Sequence, residues 1–433
     1  MPRIVSPPCT ILNDTNALRY TDMLSSKDNE YVTHVGPGTP MGNLFRRYWL
    51  PALLSEELPE PDCAPIRLKL LGEELVAFRT TSGRPAVLDT WCPHRNANLF
   101  WGRNEQEGLR CVYHGWKFDA DGNCLDMPNE PPRSKFAEKI KQPAYRAVEK
   151  AGVIWVYMGP PELQPQLPEL EWTLVPDANR NVSKRMQACN WLQNLEGEVD
   201  SSHANFLHAQ LGPDRRPIRN DERDEDLHPI FSILETDYGL AICAQREAGP
   251  DTYYWRVTPF MLPAYTIIPG RYSDAYTFTG AVPCDDTSMI GITVTWSAKH
   301  PVPQRPFVEV DPNYFPLQNK GNDYQIDREA QKTMSYTGIK NIRVQDMAVQ
   351  EDQRGPLSDR SREHLGSSDT GVIATRRRLM RQAEALAEGT EPLQPSTPAA
   401  YRLHSMAVVA DRSIPWEDLI RDNMYTLPTS VTV

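Results

Sequence analysis

The sequence predicts an α+β protein of two unequal domains: a small all-β module, then a larger domain in which a twisted antiparallel sheet is covered by helices. Three observations carry this expectation. Residues 160–168, PPELQPQLP, hold four prolines in nine positions and read as an extended, stiff linker that divides the chain. Short runs with two-residue alternation and turn punctuation fill residues 65–90 and 230–297. Helical spacing is concentrated in the second part, around 191–199, 341–354 and 370–388. The expected boundaries are an N-terminal arm at 1–44, poorly ordered to about residue 30, a first domain at 45–160 and a second at 161–433. A chain of 433 residues is long enough to bury two cores.

Composition narrows the class of function. A net charge of −11 argues against nucleic acid or an anionic membrane as the main partner. No run reaches the ~18 apolar residues of a membrane span, and the N-terminus carries no long apolar segment after Arg3, so the expected location is the cytoplasm. Eight cysteines in a long chain of this kind read as metal ligands and free thiols rather than disulfides.

In the first domain, IRLKLLGEELVAFRT and SGRPAVLD read as strands joined by turns at Gly72-Glu73 and Ser82-Gly83. There follows a ligand pattern: Cys-x-His, sixteen residues, then Cys-x-x-His, at Cys92, His94, Cys111 and His114. Two Cys and two His can hold zinc or an iron–sulfur cluster. Zinc ribbons usually pair cysteines at each knuckle. Here each loop carries one Cys and one His, the mix that a Rieske cluster needs, with thiolates on one iron and imidazoles on the other. Neutral imidazoles raise such a cluster's potential to roughly −150 to +300 mV, so electrons from a plant-type iron–sulfur centre run downhill into it. AGVIWVYMG at 151–159 is an apolar strand suited to closing the small domain.

The second domain opens with NWLQNLEGEVDSSHANFLH, from Asn190 to His208. Trp191, Leu192 and Leu195 have helical spacing. Asp200 and His203, three apart, share a helix face, whereas His203 and His208, five apart, lie about 140° around a regular helix. Both histidines can reach one metal only if the helix ends, bends or bulges between them. Taken alone, an H-x4-H pair is more often two unrelated surface histidines. Residues 213–229 read as a charged, solvated loop. The strands that follow include Arg256, whose fork of donors suits a substrate carboxylate or a structural ion pair. A two-histidine site needs a carboxylate to complete it. Asp346, Glu351 and Asp352 are the candidates in the helical stretch NIRVQDMAVQEDQRG. A last helix runs from an N-cap at Asp369 to Gly389, with Arg376, Arg377, Arg378 and Arg381 expected on a solvated face.

CPHR, CVYHGWKFD, the N-W-x-Q-x-x-E-G-x-x-D-x-x-H-x-x-x-x-H pattern, and QDxxVxE followed by DRSxExLGxSD occur in that order. From about 30 to 388 the chain resembles the oxygenase components of Rieske non-heme iron oxygenases of the phthalate 4,5-dioxygenase type. Respiratory Rieske proteins carry an additional cysteine in each loop. Neither loop here has one, and Cys124 lies ten residues past His114. The resemblance implies that 45–160 is a Rieske [2Fe–2S] domain with the cluster on Cys92, His94, Cys111 and His114. It implies that 161–433 is a catalytic domain with mononuclear Fe(II) on His203, His208 and Asp346. Asp200, with Asn190 as a further catalytic candidate, is implied to act beside that iron by bridging His203 and a cluster histidine. In the family this bridge crosses a subunit boundary, which implies a homotrimer or stacked trimers.

The implied activity is hydroxylation of an aromatic substrate, most simply an aromatic acid, with O2 and electrons from an NAD(P)H-dependent flavin/iron–sulfur reductase, in aromatic hydrocarbon catabolism. O-demethylation or methyl hydroxylation by the same ligands is the alternative, because pocket shape decides which carbon lies over the iron. A plain Rieske electron carrier is a different class. It has no use for the His203, His208 and Asp200 set or for a second domain of this size.

Overall fold

The computed structural model describes residues 23–218, 225–270 and 274–425. Residues 1–22 of the expected arm, Cys9 among them, and residues 219–224 of the charged loop lie outside these. The chain forms two compact units. One holds residues 34–166 and 282–286, and the other holds the remaining described residues. Two short helices lie in the stretch read as an arm, α1 (Ser26–Thr33) in the larger unit and α2 (Pro40–Phe45) in the smaller.

The smaller unit is built from β1 (Trp49–Leu54), β2 (Ile66–Leu70), β3 (Glu73–Arg79), β4 (Pro85–Asp89), β5 (Arg103–Glu105), β6 (Gly108–Arg110), β7 (Lys117–Asp119), β8 (Cys124–Asp126), β9 (Ala144–Lys150) and β10 (Val153–Tyr157). They form a six-stranded sheet in the order β1-β10-β9-β4-β3-β2 and a four-stranded sheet β5-β6-β7-β8. The β2–β3 hairpin shows why the local sequence suffices. Leu70 pairs with Glu73, and the two turn residues between them, Leu71 and Gly72, both take positive φ, at 49° and 79°. That turn matches the right-handed twist of its strands, and glycine takes one of its two left-handed positions at no steric cost. Phe78, Leu88, Leu99, Leu109 and Phe118 make a buried cluster that includes Cys92, Cys111 and Trp116, so the two cysteine loops stand on packed apolar ground.

The larger unit centres on an eight-stranded antiparallel sheet. Its strands are β11 (Arg180–Gln187), β12 (Ile230–Glu235), β13 (Gly239–Glu247), β14 (Thr252–Met261), β15 (Tyr265–Ile268), β16 (Tyr276–Pro283), β17 (Met289–Trp296) and β18 (Met406–Asp411). The order is β11-β17-β16-β15-β14-β13-β12, with β18 also paired to β14. Among the described residues, the helices of this part after α1 are α3 (Trp191–Val199), α4 (Ala204–Leu207), α5 (Arg328–Thr333), α6 (Ile342–Gln350), α7 (Thr370–Ala387) and α8 (Trp416–Asn423). Among these, α3 packs on β14 and β15, α7 packs on β12 and β13, and α3 also meets α6 and α7. At the α3–α6 crossing a Cβ on Gly197 would come within 2.4 Å of Gln350 Nε2, so a larger residue there would displace the Gln350 side chain.

A buried ion network ties this part together. Arg360, fully buried, grips Glu196 with both arms, Nε to Oε1 at 2.8 Å and Nη2 to Oε2 at 2.9 Å. Arg376 bonds Glu196 at 2.6 Å and Glu363 at 2.7 Å. Burial raises the Glu196 pKa, but the two guanidinium groups outweigh it and hold the carboxyl below its ordinary range. The expectation of a solvated arginine face is corrected at Arg376: it is buried because Glu196 and Glu363 lie under α7. Arg360 also donates to Asn29 Oδ1, and Asn29 Nδ2 donates to Ser358 O, which fixes α1 in place. Glu196→Gln leaves Arg360 buried without a carboxylate and is expected to cost roughly 3–5 kcal/mol. Urea unfolding followed by circular dichroism measures it, and an unshifted midpoint contradicts it.

Candidate metal centres and their cavity

The two cysteine loops fold as matching tight turns. Asn96 N–H donates to Cys92 O at 2.9 Å with Asn96 at φ 54°, and Gly115 N–H donates to Cys111 O at 3.0 Å with Gly115 at φ 82°. The Cys92 and Cys111 thiols interact with each other. This interaction lowers the Cys111 pKa to about 6 and, with burial, raises that of Cys92. The His94 and His114 rings lie 4.4 Å apart, and His94 stacks on Trp116 at 4.3 Å. The donors therefore fall into a thiol pair and an imidazole pair. His114 Nδ1 is buried with no hydrogen-bond partner. Two donor pairs of different kind and an orphaned ring nitrogen fit a two-iron cluster with thiolates on one iron and imidazoles on the other. The seven described cysteines form no disulfide with one another.

The second centre is built where α3 stops. The helix starts because Asn190 Oδ1 accepts from Leu192 N–H, and it ends at Val199 as Asp200 turns extended, at φ −84° and ψ 118°. Asp200 then accepts from Ser202 N–H at 2.6 Å and His203 N–H at 3.3 Å, and one further helical turn, α4, separates His203 from His208. His203 and His208 are the N-cap and C-cap of that short turn, so the helix begins and ends at them rather than breaking between them, and their rings meet with centroids 5.1 Å apart and planes at 78°. Asp346 on α6 completes the group. Its Oδ1 lies 3.6 Å from His203 Nε2 and 3.2 Å from His208 Nε2. Among the described residues, His203, His208 and Asp346 are the one group of three or more His, Cys, Asp or Glu whose donor atoms all lie within 4.8 Å of one another.

Charge balance there fits a cation. Burial raises the Asp346 pKa, but His203, His208 and Arg343 outweigh it and leave it well below the carboxylate range. Burial lowers the His203 pKa, yet Asp200 and Asp346 together push it up to about 10. His203 Nδ1 lies 3.4 Å from Asp200 Oδ2, and His208 Nδ1 lies 2.7 Å from Gln345 Oε1. Arg343, paired with Glu198, stands 3.4 Å from the second oxygen of Asp346.

The other carboxylate candidates face elsewhere. Glu351 accepts from Tyr324 Oη at 2.6 Å, with its pKa raised by burial, and Asp352 is exposed beside Lys320. Asn190, expected as a catalytic residue, is a fully buried helix cap that also donates to Thr33 O. Its side chain is consumed in closing the first turn of α3. Arg256 is buried on β14 and donates to Pro269 O at 2.9 Å. It lines a cavity of about 600 Å3 whose wall also includes His203, His208, Asp346, Ile268 and Phe307. That size suits a small organic molecule. Gln345, Arg343 and Glu198 were missed as site residues in the sequence, although Gln345 stands beside Asp346 in QDxxVxE.

Comparison with known proteins shows the family. Residues 48–145 match the family model of the Rieske [2Fe-2S] domain, and residues 156–426 match "LigXa C-terminal domain like". The chain is 36% identical to the phthalate 4,5-dioxygenase oxygenase subunit of Pseudomonas putida over 418 residues, covering 92% of this chain and 94% of that one. It is 38% identical to the 3-chlorobenzoate-3,4-dioxygenase oxygenase subunit of Comamonas testosteroni, covering 91% and 97%. It is 33% identical to the 5,5'-dehydrodivanillate O-demethylase oxygenase subunit of a Sphingobium strain, covering 86% and 83%. Among solved structures, NdmA of Pseudomonas putida CBB5 with theobromine shares the fold at a TM-score of 0.56 and 19% identity, covering 87% of this chain and 100% of that one. No helix among the described residues is long and apolar enough to cross a membrane.

Proposed function

Since the chain belongs to the Rieske non-heme iron oxygenases, as an oxygenase subunit of the phthalate 4,5-dioxygenase-like family, we infer that it hydroxylates an aromatic acid held in the cavity beside His203, His208 and Asp346. The observation that carries this reading is that the three donors and Arg256 line one cavity. Cys92, His94, Cys111 and His114 would hold the [2Fe–2S] cluster, and His203, His208 and Asp346 the ferrous ion. When bound, these groups supply single electrons and dioxygen activation. Asp200 faces Nδ1 of His203 and keeps its Nε2 turned toward Asp346. Arg256 receives the substrate carboxylate, and Ile268 and Phe307 give the ring apolar walls. Electrons come from an NAD(P)H-dependent flavin/iron–sulfur reductase, and the working form is a cytoplasmic homotrimer or stacked pair of trimers, in which Asp200 of one subunit meets a cluster histidine of the next.

The relatives named for phthalate and 3-chlorobenzoate support an acid. O-demethylation is the second reading, favoured by the relative named for 5,5'-dehydrodivanillate. Product analysis with purified protein, a reductase and a panel of aromatic acids and methoxy-aromatics decides. O2-dependent hydroxylated acids support the first reading, released formaldehyde the second, and no O2-dependent product from any member sinks both. Arg256→Gln is expected to raise KM for carboxylate substrates about 10–100-fold, the loss of roughly 1.5–3 kcal/mol from a charged hydrogen bond, and to leave neutral analogues unchanged. Equal effects on acids and neutral analogues would assign Arg256 a structural role only.

A further inference from the structure

We propose that Gln345 is a positioning residue that fixes the His208 ring and its tautomer for metal binding. The backbone oxygen of Ile339 can only accept, and the Gln345 amide contacts it at 2.6 Å, so the side-chain NH2 must be the group that faces it. The amide oxygen is then fixed on the other side, 2.7 Å from His208 Nδ1. An amide oxygen can only accept, so Nδ1 carries a hydrogen, which leaves Nε2 as the nitrogen whose lone pair a metal would take. That nitrogen is the one 3.2 Å from Asp346 Oδ1. Gln345 is almost fully buried, so water does not compete for either bond. It sits on α6 next to Asp346, and the same turn of helix thus supplies a carboxylate donor and orients an imidazole 137 residues away.

The two histidines are consequently held by unlike partners. His203 faces the Asp200 carboxylate and His208 faces a neutral amide. Groups that orient a ligand imidazole typically contribute 10–100-fold to metal affinity. The bland alternative is that Gln345 only anchors the 335–341 loop to α6 through Ile339.

The inference rests on reading His208 as an iron ligand, and the test separates the two. Protein stripped of mononuclear iron by a chelator, with its cluster retained, is titrated with ferrous iron against a competing chelator. Melting temperature and cluster absorbance are followed in parallel. Gln345→Met, which has no acceptor, is expected to weaken ferrous binding about 10–100-fold with the cluster absorbance intact. Gln345→Glu keeps an acceptor for Nδ1–H but loses the donor to Ile339, and is expected to retain the affinity. Unchanged affinity in Gln345→Met overturns the proposal. So does equal loss in both variants, which assigns the effect to the Ile339 anchor. His208→Ala serves as the control: undiminished ferrous binding there overturns the ligand assignment itself.

Discussion

Asp346→Ala is expected to lower the iron content by about one atom per chain, leave the visible spectrum of the cluster intact, and cut product formation by more than ~100-fold. Asp346 is the only carboxylate among the three candidates whose oxygen lies within 4 Å of both His203 and His208. Its side chain is nearly buried. Glu351→Ala is the contrast, because its carboxyl is spent on Tyr324. That variant should lose stability and keep its iron. Metal analysis with cluster absorbance measures both. An Asp346→Ala protein with full iron and normal turnover would show that the three donors are not the catalytic centre.

Asp200→Asn is expected to load both metal centres and still turn over ~100-fold more slowly or worse. The substitution keeps size and an accepting oxygen but removes the charge that faces His203 Nδ1 at 3.4 Å. Stopped-flow reoxidation of the reduced cluster in the presence of substrate and O2 reads the step directly. Normal reoxidation with Asn at 200 would refute the bridging role. Co-expression with a Cys111→Ser chain tests whether the step crosses between subunits. If it does, a neighbour pair that joins an intact cluster to an intact Asp200 regains activity in mixed oligomers. No recovery means each chain serves itself.

The cluster loops and the His203/His208 pair were legible because their information is local. Cys-x-His and Cys-x-x-His each fit inside one tight turn, and H-x4-H fits one short helix with a break before it. The β2–β3 hairpin was legible for the same reason. The choice among Asp346, Glu351 and Asp352 was not fixed by the residues alone, since only tertiary contacts turn Glu351 to Tyr324 and Asp352 to Lys320. Arg376 read as surface because the partner that buries it, Glu196, is 180 residues distant. Asn190 read as chemical because a capping residue and a catalytic one look alike in a motif. β18 gave no cue of its own and becomes a strand only by pairing with β14.

Two imidazoles and one carboxylate do not prefer ferrous iron. Along the first-row divalent series copper and zinc bind such donors more tightly than iron does. What fills the centre is therefore expected to depend on metal supply during growth as well as on the geometry of the donors. Cultures rich in zinc will yield folded, cluster-bearing and inert enzyme, and ferrous supplementation of the medium, more than any purification step, will govern how many working sites a preparation contains.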